Sequence, residues 1–371
     1  MLNTIKMYNS QLFTSVKVGT TELKNRIVMA PMTRCRAIGN VPNDLMMKYY
    51  KLRSGAGLII SEGTSPSPNG LGWARMPGIF TDHQAEAWRK ITSEVHKSNG
   101  KIFLQLMHCG RVSHPLNMPK GASIICPSAI RAEGKAWTDE QEFQDFPAPK
   151  EMDAHDFEMT LQEYVHAAQN AISVGFDGVE VNVADGLLLS QFLSPQTNQR
   201  TDEYGGSIEN RCKFVLQVIT SIAEVIGNER TGVYISPYSI ARDIALYPEI
   251  ESTYGYLSKQ LSMLGIAYIH LINHPLANTP NRPFAPLDMI RNIRSNFCNT
   301  LILSGGYTKK SAERDLKNGL GDLIAFGEYF INNPYLVEHF QNNWTLAENL
   351  NTDLIHGADE EGYTDYPCYC Q

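Results

Sequence analysis

Short runs of β-branched and other apolar residues recur along this chain, and each is followed by a turn and a helical pattern. Eight runs stand out as candidate strands, over residues 26–30, 58–62, 102–108, 178–183, 232–236, 268–272, 301–304 and 323–326. They are almost continuously apolar, which is typical of strands that are buried on both faces of a sheet.

The segments between these runs have the apolar spacing of amphipathic helices. Helices are predicted over residues 82–98, 155–174, 207–226, 252–264 and 311–318. Thr81 is followed three residues later by Gln84, which is the pattern of a capping box at a helix start. Strands that alternate with helices in this way predict a parallel sheet.

The fold class that follows is α/β, as a single (β/α)₈ TIM barrel over residues 1–371 with a long insertion after strand three. Such a barrel needs roughly 250 residues, so 371 leave room for insertions. The proline-rich stretch 110–150 is the largest one and is expected to cap the barrel mouth. A doubly wound sheet would instead carry a glycine fingerprint after the first strand, where this chain has Pro31-Met32-Thr33-Arg34.

Composition and charge narrow the function further. The chain has 32 Lys+Arg against 39 Asp+Glu, a net charge of −7, which argues against nucleic acid as a partner. No apolar run reaches the ~18 residues of a membrane span, and the first ten residues lack a secretory apolar core. Seven cysteines without an export signal are interpreted as free thiols in the cytoplasm, with Cys368 and Cys370 in a frayed tail.

Active groups of such a barrel come from the carboxyl ends of its strands. These ends place Asn182, Asp185, Tyr238, Asn273 and His274 at the mouth. Glycines follow the last two strands, at Gly305, Gly306 and Gly327. Their backbone N–H groups suit a phosphate, although tight turns without a ligand explain the same glycines. The histidines have no zinc-site spacing, so no metal is expected.

Four long segments, in order, resemble the old yellow enzyme family of FMN-dependent ene-reductases. They are Leu23 to Arg34, Gln105-Leu106 running into Gly110 to Pro115, Gln191 to Arg211, and Gly362 to Pro367. The similarity extends from about Leu12 to Pro367. It implies a barrel that holds FMN at its carboxyl-terminal mouth.

The resemblance also implies a reaction. In that family a nicotinamide cofactor reduces FMN, and a conjugated enone stacks over the flavin. A His/Asn or His/His pair polarises the carbonyl, and a tyrosine protonates the α-carbon. By the same resemblance the flavin contacts here are Ala30, Pro31 and Met32 along the ring, Thr33 at a flavin carbonyl, Gly63 at the ring edge, Gln105 at the pyrimidine end, and Gly305, Gly306 and Gly327 at the phosphate.

Several positions depart from the family pattern, and they cluster in the pocket. Tyr234 and Glu328 replace the arginines that face flavin N1 and the phosphate. Asn182 and Asp185 stand at the carbonyl-binding pair, Leu187 replaces the proton-donating tyrosine, and Met107 replaces a tryptophan. Loss of one charged hydrogen-bond partner costs about 1.5–3 kcal/mol, so FMN binding is expected to be weakened or lost.

Three functions remain open. The leading hypothesis is redox-neutral proton chemistry, isomerisation or cyclisation, on a conjugated carbonyl-type small molecule. Asp185 is then the general base, with a pKa raised by apolar neighbours, and Asn182 orients the substrate. The alternative is that Asp185 caps the helix or turn that begins at Gly186.

The second hypothesis keeps FMN and ene-reduction, with Tyr238, His108 or water as the proton source. The third is a non-catalytic binding protein on the same scaffold. The candidate catalytic residues are therefore Asp185, Asn182, Tyr234 and Tyr238. The partner is a small molecule, and the protein is expected to be a monomer or a homodimer.

Overall fold

Eight parallel strands close into a barrel in a computed structural model that describes residues 10–272, 287–347 and 350–366. Including those outside the barrel, the described residues form the strands β1 (Val16–Val18), β2 (Thr21–Leu23), β3 (Ile27–Met29), β4 (Leu58–Ile60), β5 (Ile102–Leu106), β6 (Ile125–Cys126), β7 (Lys135–Thr138), β8 (Glu142–Asp145), β9 (Lys150–Glu151), β10 (Gly178–Val183), β11 (Thr231–Ile235), β12 (Tyr268–Ile272), β13 (Thr300–Ser304) and β14 (Leu323–Phe326). The barrel order is β3-β4-β5-β10-β11-β12-β13-β14, and Phe326 beside Met29 closes the ring. The predicted (β/α)₈ barrel is thus confirmed.

Helices lie between the barrel strands. They are α1 (Asp44–Leu52), α2 (Asp82–Lys97), α3 (Ala154–Ser173), α4 (Leu188–Leu193), α5 (Ile208–Ile226), α6 (Ile250–Leu264), α7 (Leu287–Asn296), α8 (Lys309–Lys317), α9 (Glu328–Asn332) and α10 (Leu336–Asn342). The five predicted helices are α2, α3, α5, α6 and α8. The capping box of Thr81 and Gln84 is present at the start of α2. The helices that the sequence pattern missed have five to ten residues each, too short for a clear apolar period.

The barrel strands separate two apolar regions. Side chains that alternate outward pack against the helices, while those that alternate inward fill the barrel. The inner cluster comprises Val18, Leu23, Val28, Leu58, Ile60, Phe103, Ala267, Tyr268, Ile302, Leu323 and Ala325. Val18 and Leu23 belong to the β1–β2 hairpin, which packs against this inner cluster.

The segment 110–150 is the predicted insertion after the third barrel strand. Within it β7 and β8 form an antiparallel hairpin, and β6 pairs with β9. The side chain of Asn117 donates to the carbonyls of Gly72 and Trp137, at 3.0 and 2.8 Å. The bond to Gly72 joins the insertion to the loop that follows β4, and the bond to Trp137 lies within the insertion.

Two sequence expectations concern the chain's environment. Among the described residues, no helix is both long and apolar enough to cross a membrane. The described cysteines are free, four of them buried and Cys298 exposed. Cys368 and Cys370 lie outside the described residues, so their place in a frayed tail stays a prediction.

Candidate functional site

A partly exposed strip of backbone and side chains runs along the barrel mouth over residues 30–33. The pairing of β14 with β3 brings Gly327 beside it. A Cβ atom built on Gly327 would lie 3.5 Å from the sulfur of Met32 and 3.9 Å from the Cβ of Ala30. The predicted ring-contacting residues and one predicted phosphate glycine therefore line one continuous surface.

The turn after β13 is the second part of this surface. Gly305 and Gly306 have φ angles of 96° and 67°, a left-handed conformation that glycine adopts without steric cost. The turn is at least partly exposed and leads to Thr308, which caps α8. The tight turn accounts for the glycines, and its exposed backbone is open to an anion.

A buried polar network lies inside the barrel near its mouth. The amide of Gln105 donates to Glu180 Oε1 at 2.8 Å, and His270 Nδ1 lies 3.0 Å from Glu180 Oε2. The amide of Asn182 donates to Gln105 Oε1 at 3.1 Å, while its own oxygen accepts the N–H of Ala184. The network orients Gln105, and no described residue accepts the second amide hydrogen of Gln105 or of Asn182.

Glu180 and His270 are members of this network that sequence analysis missed. Each lies at an inward-facing position of its strand, His270 in the otherwise apolar β12 and Glu180 in β10, where Asn182 is the other polar residue. A buried carboxylate needs hydrogen-bonding partners, so a glutamate inside a central strand was the signal that could have found the site.

Tyr234 points into the same region. Its side chain is 8% exposed, and its ring meets His270 edge-on with 4.7 Å between centroids. Burial raises the pKa of the Tyr234 phenol, so it stays protonated at neutral pH. None of the described residues is hydrogen-bonded to its hydroxyl, which leaves a donor available to a ligand.

An apolar wall borders the mouth beside this network. It comprises Leu71, Met76, Met107, Cys109, Val112, Ala132 and Leu187, with Trp73 packed against it. A Cβ atom on Gly63 would lie 2.4 Å from the sulfur of Met107, so packing alone explains that glycine. Leu187 is 2% exposed and belongs to the wall, and its side chain has no proton to donate.

Asp185 adopts a left-handed backbone conformation, with φ of 54°. Its carboxylate accepts the Ser239 hydroxyl at 2.8 Å, and its N–H donates to Ser236 Oγ. Helix α4 begins only at Leu188, after Leu187 as an N-cap without a side-chain bond. Asp185 is therefore not the N-cap of α4, while a role in capping the turn at Gly186 stays a prediction.

The other predicted proton donors are not part of the network. The Tyr238 hydroxyl donates to Glu251 at 3.2 Å, at the start of α6. His108 is fully buried, its Nδ1 accepts the N–H of Gly110, and burial lowers its pKa to about 3. Asn273 and His274 lie outside the described residues. No group of His, Cys, Asp and Glu in the described ranges is arranged to hold a metal ion.

Arginines join the first and last of the family-like segments. Arg34 donates to the carbonyls of Ile355 and Gly362, and Arg36 to that of Glu361. Beside them the buried carboxyl of Glu62 accepts the Arg34 N–H, and burial raises its pKa to about 7. Pro367 lies outside the described residues.

These residues fit a bound FMN. The open strip can contact a ring, the exposed glycine turns can approach a phosphate, and the spare hydrogens of Gln105 and Tyr234 can meet the polar edge of a flavin. Glu328, half-buried at the start of α9, adds a negative charge where a phosphate would lie.

Comparison with known proteins agrees with this geometry. Residues 11–347 match the NADH:flavin oxidoreductase / NADH oxidase family. The 12-oxophytodienoate reductase 7 of Oryza sativa subsp. japonica is 36% identical over 96% of this chain and 94% of its own length. The flavin oxidoreductase hxnT of Emericella nidulans is 37% identical over 96% of this chain and 97% of its own length.

Solved structures give the same result. Morphinone reductase superposes with a TM-score of 0.92 at 38% identity, over 97% of this chain and 96% of that one. The old yellow enzyme homologue from Zymomonas mobilis superposes with a TM-score of 0.91 at 36% identity, over 96% of this chain and 99% of that one. The chain belongs to the NADH:flavin oxidoreductase / NADH oxidase family and is an oxidoreductase of the old yellow enzyme type.

Proposed function

We propose that this protein is an FMN-dependent reductase of conjugated carbonyl compounds that uses NAD(P)H. The observation that carries the proposal is the pair of spare amide hydrogens, on Gln105 and Asn182, beside the open strip 30–33. Relatives that match the whole chain are named as reductases or flavin oxidoreductases. This favours ene-reduction over the redox-neutral hypothesis, which has no support among these relatives.

Different residues of the chain would bind different parts of FMN. The strip 30–33 would hold the flavin ring, with the Thr33 hydroxyl at a flavin carbonyl. The glycine turns at Gly305 and Gly327 would hold the phosphate. Tyr234 would donate a neutral hydrogen bond at the place where the family has an arginine. FMN, when bound and reduced, supplies the hydride.

Asn182 is the residue proposed to polarise the substrate carbonyl. Its orientation is set on both sides, since Gln105 accepts one of its amide hydrogens and the N–H of Ala184 occupies its oxygen. Only its remaining amide hydrogen can reach a ligand. A single neutral donor stabilises a developing oxyanion less than two donors do, so slower turnover is expected.

The proton for the α-carbon is proposed to come from water at the open mouth. Leu187 has no proton, His108 is buried as the neutral imidazole, and the Tyr238 hydroxyl is engaged by Glu251. Asp185 as a general base stays a second, untested proposal. Asp185→Asn retains the contact to Ser239 and removes the base, so an unchanged pH profile of activity would reject it.

The test is the flavin content and the isotope pattern of the product. The purified protein should be yellow, and FMN titration should complete any partial occupancy. When cyclohexenone is reduced with NADPH in deuterated water, the product should carry deuterium from the solvent at the α-carbon. The hydrogen added at the β-carbon should be protium, which comes from NADPH. A colourless protein whose absorbance and fluorescence do not respond to FMN would reject the proposal.

Two variants separate the proton sources. Tyr238→Phe should leave the rate of enone reduction unchanged if water is the donor. Leu187→Tyr should raise the rate where protonation limits turnover. A rate loss of about 100-fold or more in Tyr238→Phe, the lower end for loss of a general acid, would assign the proton to Tyr238 instead.

A further inference from the structure

Two neighbouring loops at the barrel mouth hold non-glycine residues in left-handed backbone conformations. They are Asp185 after β10, with φ of 54°, and the adjacent pair Arg242 and Asp243 after β11, with φ of 56° and 59°. Such conformations persist only where the surrounding structure holds them, and they cluster at functional sites.

Several contacts hold the second loop in place. The buried Arg111 donates through Nη2 to both the carbonyl and the carboxylate of Asp243, at 2.5 and 3.1 Å. The N–H of Glu133, in the insertion, donates to the same carboxylate at 3.1 Å. Ser239, in the same loop, binds Asp185. Arg242 is therefore presented from a loop that is anchored on both sides.

The Arg242 side chain uses few of its donors. Its Nη1 donates to the carbonyl of Asp185 at 2.7 Å, and its guanidinium lies 4.8 Å from the ring centroid of Trp73. No carboxylate of the described residues forms an ion pair with it, whereas Arg111 pairs with Asp243. Most N–H groups of this half-buried cation thus remain available beside the apolar wall.

The charge of Arg242 acts on the mouth itself. Burial raises the pKa of Tyr234, and the positive charge of Arg242 lowers it again in part. On the adjoining side, burial and the charges of Arg34, Arg36, Arg242 and Arg75 hold the pKa of His356 down at about 4. Four arginines therefore act on the region around His356, although the whole chain carries a net charge of −7.

We propose that Arg242 recognises a carboxylate on the conjugated carbonyl substrate and so determines substrate specificity. The inference rests on the proposed reductase function. A guanidinium matches a carboxylate through two parallel N–H donors, which favours an anionic group over a neutral one. The apolar wall beside it takes the hydrocarbon part of the same molecule.

Substrate pairs test this directly. A cyclic enone that bears a carboxylate is compared with its methyl ester, in the FMN-loaded wild type, in Arg242→Gln and in the control Arg291→Gln, which lies on the exposed face of α7. In Arg242→Gln, kcat/KM for the acid should fall by about tenfold or more, through KM, with the ester little changed. Equal effects on acid and ester would overturn the proposal.

A binding measurement separates this inference from the reductase function. Calorimetric titration of the saturated keto-acid requires no hydride transfer, and its Kd should rise by about tenfold in Arg242→Gln and less in Arg242→Lys. Loss of enone reduction with this difference in Kd retained would reject only the reductase function. An increased KM for NADPH, with unchanged Kd for the keto-acid, would instead place the cofactor's phosphate at Arg242 and overturn the proposal.

Discussion

Glu180 is the residue around which the polar interior of this barrel is organised. Both of its carboxylate oxygens are bound, one by Gln105 and one by His270, and no part of it is exposed. An uncompensated carboxylate at this position would be costly, so its neighbours have to be hydrogen-bonding groups. That requirement orients the amide of Gln105, which we propose contacts the flavin.

The substitution at Glu328 should weaken the flavin phosphate contact. Glu328→Arg removes a like charge and adds a donor, so the Kd for FMN should fall by about 10- to 100-fold. Quenching of FMN fluorescence on titration measures it. Glu224→Arg, on the exposed face of α5, makes the same change in net charge and should leave the Kd within twofold of the wild type (about 0.4 kcal/mol). An unchanged Kd in Glu328→Arg would contradict the assignment of the phosphate turn.

His108 should make the protein sensitive to acid. Burial lowers its pKa from 6.5 to about 3, so the unfolded chain takes up a proton between these values that the folded protein does not. Stability is therefore complete above pH 6.5 and is lost as the pH falls towards 3, by about 2 kcal/mol at pH 5. Urea unfolding at pH 7 and pH 5 measures it.

The matched variant for this test is His108→Asn, whose side-chain oxygen can accept the N–H of Gly110 in place of Nδ1. Its unfolding free energy should change less between pH 7 and pH 5 than that of the wild type. The buried carboxyl of Glu62 titrates in the opposite sense in both proteins. Equal pH dependence in the two proteins would mean that His108 is charged in the fold.

At the scale of elements, helix starts were the most predictable features. Thr81 and Gln84 bind each other's backbone at the start of α2, and Ser207 caps α5. Both depend on residues three positions apart, so local sequence is sufficient. The short α4 was missed because its residues are all buried and show no polar face.

Removal of the N-cap of α2 measures how much that cap contributes to the stability of the fold. Thr81→Ala deletes the hydroxyl that accepts the N–H of Gln84, and it should lower the free energy of unfolding by about 1 kcal/mol. Thr345→Ala is the control, because that exposed hydroxyl has no hydrogen bond to a described residue. Chemical denaturation compares the two, and equal losses would mean that the box does not stabilise α2.

At the scale of the whole molecule, closure of the barrel depends on how its interior is filled. Gly232 on β11 leaves room for the ring of Tyr268 on β12, since a Cβ there would lie 2.1 Å from the ring's Cζ. Large and small residues on neighbouring strands thus complement each other inside the barrel.

The oligomeric state, monomer or homodimer, stays a prediction, as does a cytoplasmic location.

Gly232→Ala tests this packing. The added methyl cannot be accommodated beside a fully buried ring, so the variant should lose about 1–3 kcal/mol of stability. In a Tyr268→Leu background the same change should cost less, which a double-mutant cycle measures. Gly255→Ala in the middle of α6 is the control and should cost less, because the nearest atom to the added methyl is the Asn292 side-chain oxygen at 3.2 Å, which can move. Additive effects at positions 232 and 268 would contradict the complementarity.

The sequence by itself determined the fold and most of the surface that FMN would use. Continuous apolar runs define the barrel strands, and the ends of those strands locate Ala30 to Thr33 and the glycine turns, because parallel strands place their carboxyl ends at one mouth. The family resemblance located Gln105 and the altered positions Tyr234 and Glu328. The barrel and its mouth needed only local pattern and strand order.

Only the tertiary structure decided which polar groups meet. Gln105 and Glu180 are 75 positions apart, and Glu180 and His270 are 90 apart, so no local pattern relates them. In the folded chain the Asp185 carboxylate also accepts the Ser239 hydroxyl, and Arg242 lies at the mouth, where it donates to the carbonyl of Asp185. The physical reason is that hydrogen bonds between side chains on different loops depend on how the barrel closes, which local propensity does not encode.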